Sequence, residues 1–226
     1  AQELEKSGHE IHTVTPDKFK TIPCPSYPEI RLALAPRRKV YKILAALQPD
    51  AVHIASEGPL GLAARAWCVK KDFPFTTSFH TRFPEYVNLR FGIPLFLTYA
   101  YQRLFQNGAK YAVVATEALR QELHAKGFTN LAIWSRGVDT KLFRPRDKSL
   151  VLYARPVFAY LGRVAVEKNI EAFLKLDLPG TKYVIGDGPD MAKMKQRYPE
   201  VQFVGFKTGE DRAHHLACAD GFVFRS

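Results

Sequence analysis

The sequence predicts an α/β protein whose two successive halves each carry a parallel sheet. Three features lead there. The run at 157–161, Val-Phe-Ala-Tyr-Leu, is apolar without interruption, as a strand buried on both faces is. Shorter strand-like runs alternate along the chain with stretches that place apolar residues at helical spacing. A charged stretch at 136–148, holding Gly137 and Pro145 and no sustained period, then breaks the alternation before it resumes. Such alternation implies parallel sheets covered on both faces.

Taken in order, residues 1–7 read as a helix running into Gly8, and 9–15 as a strand with Ile11 and Val14 as its apolar positions. Residues 16–36, rich in Pro and polar side chains, read as a long loop. A helix over 39–48 stops before Pro49, and a strand follows at 51–55. Gly58-Pro59-Leu60-Gly61 opens an Ala-rich helix to about residue 71. Strand 75–79, helix 94–105 and strand 111–115 continue the pattern. Thr116 suits the N-cap of a helix that stops at Gly127, a residue at ease in the left-handed conformation. A strand at 131–134 closes this half. Past the charged stretch come strand 157–161 and a helix carrying Ile170, Phe173, Leu174 and Leu176. Strand 182–185 leads into Gly186-Asp187-Gly188-Pro189, where Asp187 or Gly188 suits a cap and Pro189 the first turn. Strand 202–204, a helix opened by Thr208 and Asp211 in capping-box spacing, and a strand at 220–224 complete the series. The expected division is a domain at 1–135, a linker at 136–148 and a domain at 149–226.

Composition narrows the function. With 46% hydrophobic and 24% charged residues and no low-complexity tract, the chain is globular. No apolar run is long enough to span a membrane. Cys24, Cys68 and Cys218 are an odd, scattered set, which fits a reducing compartment and argues against a disulfide framework or a structural zinc site. His214 and His215 are adjacent, point to different helix faces and read as ordinary surface or half-buried residues. The net charge is +11, of which residues 1–144 carry +8. Arg37, Arg38 and Lys39, with Lys42, accompany Val40, Ile43, Leu44 and Leu47 at helical spacing, a pattern shared by solvated surface helices and helices lying on anionic membranes. Nothing matches a nucleic-acid-binding signature, so no nucleic-acid partner is expected.

The chemistry concentrates between 157 and 170. A buried strand ends at Gly162, a helical run begins near Ile170, and the turn between carries Arg163 and Lys168. Ligands of parallel sheets sit outside the carboxyl ends of the strands. Gly162 lets backbone approach a ligand, and two fixed cations suit a diphosphate. The same residues also suit a plain turn with solvated cations. The motif Tyr160-Leu-Gly-Arg-Val-Ala-Val-Glu-Lys-Asn-Ile170 resembles the donor site of the retaining family 4 glycosyltransferases, which have the GT-B fold. That resemblance implies two Rossmann-like domains with parallel sheets facing across a cleft. It implies that Arg163 and Lys168, beside Gly162, hold the diphosphate of a nucleotide-sugar donor. Asp-x-Asp, common in metal-dependent sugar transferases, is absent from the sequence. Metal-independent chemistry is therefore expected, with no metal site and no cofactor beyond the donor itself.

Further motifs carry the resemblance along the chain. Gly186, Asp187 and Gly188 resemble the Gly-Asp-Gly-Pro turn lining the family's donor pocket, though a capped helix start fits them equally. Gly205 and Phe206 fall where family members meet the nucleotide base. His80, just past a strand, resembles the histidine of the acceptor-side loop, which implies sugar positioning or charge stabilisation; a lone structural histidine is the other reading. Thr81 and Tyr86 belong to that loop, and Glu57 ends another strand on the acceptor side. Gly137-Val-Asp followed by Leu142-Phe-Arg-Pro145 resembles the segment joining the two domains.

Two departures qualify the match. The family's first strand and its Gly-rich loop would precede Ala1. Its Glu-x7-Glu segment would follow Ser226, and Arg225 stands where Pro is common. The stretch on its own is thus expected to be inactive in transfer. The resemblance implies a mannosyl or glucosyl donor such as GDP-mannose or a UDP-hexose. It implies a lipid-linked or saccharide acceptor, and a cytoplasmic location with peripheral contact to an anionic membrane. A nucleotide-sugar 2-epimerase of the same fold, and a non-catalytic module binding nucleotides or anionic surfaces, remain the alternatives.

Overall fold

The computed structural model describes residues 2–25, 27–135, 137–148 and 153–223. Arg136 at the head of the expected linker, residues 149–152 at the head of the expected second domain, and Phe224, Arg225 and Ser226 lie outside them. The chain forms two compact units, Ala1–Arg136 and Gly137–Ser226.

The first unit opens with α1 (Gln2–Lys6). No strand forms at 9–15, contrary to expectation: Ile11 and Val14 are only half-buried and the rest is exposed. Two apolar positions without a hydrogen-bonded neighbour do not hold a strand. The expected loop at 16–36 instead contains a 3-10 turn and an antiparallel hairpin of β1 (Thr21–Cys24) and β2 (Tyr27–Ala33). Its prolines masked it. A two-stranded ribbon is all edge, so Pro23 needs no ladder donor there.

Next come α2 (Arg37–Leu47), β3 (Val52–Ile54), α3 (Pro59–Lys70), β4 (Phe75–Ser78), α4 (Phe83–Phe91), α5 (Leu95–Gln106), β5 (Tyr111–Val114), α6 (Glu117–Ala125) and β6 (Leu131–Ile133). The strands form an all-parallel sheet in the order β3-β4-β5-β6. On α2, Val40 and Leu44 turn into the core, while Arg37, Arg38, Lys39 and Lys42 stay exposed. Thr116 accepts the Leu119 N–H and caps α6, and Gly127 takes φ +85° just beyond it, as expected.

Only one face of this sheet is fully covered. Ile54, Phe75 and Ala112 are buried on it, Ile54 and Phe75 packing with Val40, Leu44, Trp67 and Phe105. The other face pairs His53, Thr76 and Tyr111 in register, and His53 and Tyr111 are exposed. Each strand sits next to its predecessor in the order β3-β4-β5-β6, so right-handed crossovers put the connecting helices on one face.

The second unit contains β7 (Val157–Leu161), α7 (Glu171–Leu174), β8 (Thr181–Ile185), α8 (Met191–Arg197), β9 (Gln202–Gly205), α9 (Gly209–Ala217) and β10 (Gly221–Phe222). Its parallel sheet runs β10-β7-β8-β9 and is covered on both faces. Tyr160 and Val184 pack with Ile170, Phe173, Leu174 and Met194 on one side. Val157, Ala159, Tyr183 and Ile185 pack with Leu216 on the other. Three local expectations change here. The helix after the Arg163 turn is one turn long, preceded by a 3-10 turn at Val166–Lys168 that ends on Asn169 in the left-handed conformation. Helix α8 starts after Asp190, so neither Asp187 nor Gly188 caps it; Asp187 accepts instead from the Gly188 N–H. Thr208 precedes α9 without a side-chain cap, and the Asp211 carboxylate pairs with Lys207 and His215.

Candidate functional site

In the second unit the loops leaving β7, β8 and β9 are tied together at the carboxyl ends of the strands. The Gly162 N–H donates to the Ile185 carbonyl (3.0 Å) and the Gly186 N–H to the Gly205 carbonyl (2.9 Å), extending the ladder one residue beyond the sheet. The Val164 N–H donates to the Asp187 carbonyl (3.0 Å), and the Asp190 N–H returns to the Val164 carbonyl (3.1 Å). Two glycines make this approach possible. A Cβ on Gly186 would lie 1.9 Å from the Gly162 oxygen, at a φ of +145°. A Cβ on Gly188 would lie 2.3 Å from the Val164 oxygen.

Gly162, Arg163, Gly186, Gly188 and Gly205 are thereby gathered at one edge of one sheet. Phe206, 72% exposed, stands at the end of β9 beside Gly205, whose φ is +76°. The Tyr160 hydroxyl donates to the Arg163 carbonyl (3.0 Å) and holds the turn under that side chain. Val164 and Ala165 bury the middle of the turn, leaving Arg163 and Lys168 half-buried on either side. Lys168 lines a cavity of about 200 Å³ with Tyr160, Asn169, Phe173, Leu176 and Val223.

In the first unit, His80 and Thr81 are exposed just past the carboxyl end of β4, and Tyr86 lies half-buried on α4. The resemblance made this segment a loop; helix α4 begins three residues after His80. Glu57 follows the carboxyl end of β3. Its carboxylate accepts from Gln106 (3.0 Å), and its carbonyl accepts from the Tyr101 hydroxyl (2.8 Å). Burial pushes the Glu57 pKa up.

Two arrangements escaped the sequence reading. The first is a clamp beside His80. Arg82 donates through both terminal nitrogens to Glu122 (2.9 and 2.7 Å), and Lys126 donates to Glu122 and to the Tyr99 hydroxyl, each at 2.7 Å. Tyr99 in turn donates to Glu85. This network fastens the start of α4 to α5 and α6. Hydrogen bonds from Arg82 and Lys126 hold the Glu122 carboxyl down at about 2. A carboxylate with a lowered folded-state pKa stabilises the fold above its unfolded value, near 4.5, and loses that contribution as pH falls toward 2. The stability gap between wild type and Glu122→Gln, read by denaturant titration, should therefore be widest above about pH 5 and close on acidification. A pH-independent gap would contradict the clamp.

The second arrangement is His53, whose Nδ1 lies 2.8 Å from the Thr76 hydroxyl and Nε2 2.7 Å from that of Ser78. Trp134 meets the ring edge-on. Desolvation lowers its pKa, favouring a neutral ring that bridges the two hydroxyls. The only signal available in the sequence was Thr76 and Ser78 at strand spacing opposite a histidine.

The model of the family described as Glycosyltransferase Family 4 matches residues 1–142. The chain belongs to glycosyltransferase family 4. Among its relatives, the sulfoquinovosyl transferase SQD2 of Arabidopsis thaliana is 29% identical over 254 residues, covering 99% of this chain and 50% of its own. A GDP-mannose-dependent alpha-mannosyltransferase of Mycobacterium tuberculosis is 26% identical, covering 98% of this chain and 66% of its own. The chain thus spans half to two thirds of the length of these curated relatives. Among solved structures, a sucrose-phosphate synthase from Thermosynechococcus elongatus superposes with a TM-score of 0.65 at 18% identity, covering 93% of this chain and 63% of that one. Anabaena HepE in complex with UDP and glucose gives 0.62 at 15% identity, over 85% and 58%. These likenesses show the fold, which is that of the GT-B glycosyltransferases.

Proposed function

We propose that this chain forms part of a retaining, metal-independent hexosyltransferase that moves a mannosyl or glucosyl group from a nucleotide-diphosphate sugar to a lipid-linked or saccharide acceptor. The single observation that carries this reading is the gathering of three strand-end loops around Gly162, Gly186 and Gly205 with Arg163 and Lys168 on the turn beside them. In the reaction the bond from the anomeric carbon to the diphosphate oxygen breaks and the acceptor oxygen bonds to that carbon. The acceptor's proton leaves with the phosphate. Negative charge therefore grows on the departing diphosphate, and fixed cations lower the barrier by being in place beforehand. Arg163 and Lys168 have that role, and the glycines let backbone come near the phosphates. Gly205 and Phe206 border the nucleotide, and Asp187 lines the pocket. His80 positions or stabilises the transferred sugar, with Thr81, Tyr86 and Glu57 on the acceptor side.

The named relatives support the donor class, since one is a sulfoquinovosyl transferase and the other a GDP-mannose-dependent mannosyltransferase. The same reading includes peripheral contact with an anionic membrane through the basic face of α2, on the cytoplasmic side. None of the described helices is long and apolar enough to cross a membrane. The test is calorimetric titration of the chain with GDP and UDP against GMP and UMP. Diphosphates should bind about a hundredfold more tightly than the matching monophosphates, since each charge-assisted contact is worth about 1.5–3 kcal/mol.

A further inference from the structure

Helix α5 buries two glutamines. Gln102 and Gln106 are wholly enclosed, one turn apart, on the face that also carries Thr98, Tyr99 and Phe105. Enclosing an amide costs free energy unless its hydrogen bonds to water are replaced, and apolar side chains would fill this face without that cost. The glutamines converge on one group. The Gln106 Nε2 donates to the Glu57 carboxylate (3.0 Å) and lies 3.4 Å from the Gln102 Oε1, while the Gln102 Nε2 is enclosed without a hydrogen-bond partner. A buried orphan donor next to a carboxylate needs a reason beyond packing.

Glu57 is unlike the other carboxylates packed near α5. Glu85 and Glu122 are both paired with Arg82 and Lys126. Among the described residues no salt bridge reaches Glu57, and Arg65 on α3 turns to the Phe105 and Leu104 carbonyls instead. The carboxylate is thus held by a neutral amide, half-buried, directly past the carboxyl end of β3. Held this way it keeps acceptor capacity that a ligand hydroxyl can fill. The Tyr101 hydroxyl ties down the Glu57 carbonyl (2.8 Å), and Phe83, 37% exposed, tilts against the Tyr101 ring with centroids 6.4 Å apart. An exposed aromatic ring close to a fixed carboxylate suits a ring polyol, which has an apolar C–H face and a polar rim.

We infer that Gln102 and Gln106 are positioning residues that fix Glu57 to receive a second, non-reacting hydroxyl of the acceptor, so that the acceptor is a polyol and not a lone alcohol. The second hydroxyl follows from the proposed reaction, in which the proton of the attacking oxygen leaves with the phosphate and needs no carboxylate. The inference therefore rests on that reading, and deepens it by naming the chemistry the acceptor must carry.

The test is NMR of the chain with isotope-labelled glutamate, so that the Glu57 carboxyl is followed while methyl mannoside, myo-inositol or propanol is added. The two polyols should shift the Glu57 resonance saturably, and propanol should leave it in place. Glu57→Gln should weaken polyol binding, read from backbone amide shifts, about tenfold or more. Gln106→Leu separates positioning from packing. The Gln106 N–H favours the charged carboxyl, so its loss should move the Glu57 titration further above the ordinary value of 4.5, beyond the rise that burial already causes. No Glu57 shift with polyols, an equal shift with propanol, or an unchanged Glu57 titration in Gln106→Leu would each overturn the inference. GDP binding is read separately in the same samples. Tight GDP binding with a silent Glu57 sinks this inference alone, and a responsive Glu57 without GDP binding sinks only the diphosphate reading.

Discussion

Replacing Arg163 by Ala should cost the chain about ten- to a hundredfold in affinity for GDP or UDP, and leave GMP and UMP affinity nearly unchanged. The reason is local. Tyr160 holds the Arg163 carbonyl and the buried Val164–Ala165 pair anchors the turn, so the guanidinium leaves a fixed backbone at the carboxyl end of β7. A preorganised cation loses little entropy on binding, and a hydrogen bond to a charged group contributes about 1.5–3 kcal/mol. Loss of a positive charge elsewhere should not mimic this. Lys195→Ala on exposed α8 removes the same unit of charge and should leave diphosphate affinity within about twofold, because exposed charges are screened beyond about 8–10 Å. Equal losses in both variants would mean that only the overall field matters and would remove Arg163 from the site.

Substitution of Gly186 by Ala should be the most damaging single change in the second unit. The added methyl would meet the Gly162 carbonyl at 1.9 Å, at a φ of +145° that side chains rarely adopt. Neither neighbour can give way cheaply. Gly162 is itself hydrogen-bonded to Ile185, and Gly186 to Gly205, so movement breaks the ladder between β7, β8 and β9. Strain and overpacking each cost about 1–3 kcal/mol, so a loss of about 3 kcal/mol or more in unfolding free energy is expected. Gly205→Ala is the informative contrast. Its φ of +76° brings strain, but its Cβ would point into open space. It should cost about 1 kcal/mol of stability, the price of the left-handed backbone alone. Chemical denaturation of both variants checks the pair, and equal losses would contradict the close approach of the loops.

What was legible in the sequence follows from where burial dominates. The strand at 157–161 was plain because both of its faces are covered, so every side chain had to be apolar. The 16–36 hairpin was not, because a ribbon exposed on both edges needs no clear alternation and admits Pro23. Helix α4 was hidden behind Pro84, which a first turn accommodates readily. The strand expected at 9–15 rested on two apolar residues with no partner to pair with. The motif at 160–170 was readable as chemistry only through resemblance, since spacing alone cannot separate a phosphate turn from a solvated one. The clamp of Arg82, Glu122 and Lys126 was unreadable for another reason. Arg82 lies 40 residues from Glu122, and charge pairing at that distance leaves no periodic trace, although Glu122 and Lys126 stand at the i, i+4 spacing of an ordinary helix pair. The same holds for Gln106, which lies enclosed against Glu57, 49 residues away.

The account stands on recognition of a diphosphate by Arg163 and Lys168 at the ends of three parallel strands. Titration of the chain with GDP and GMP side by side addresses this most directly. Tight GDP binding, about a hundredfold above GMP and lost with Arg163→Ala, is the predicted result. Equal affinities for the two nucleotides would contradict it.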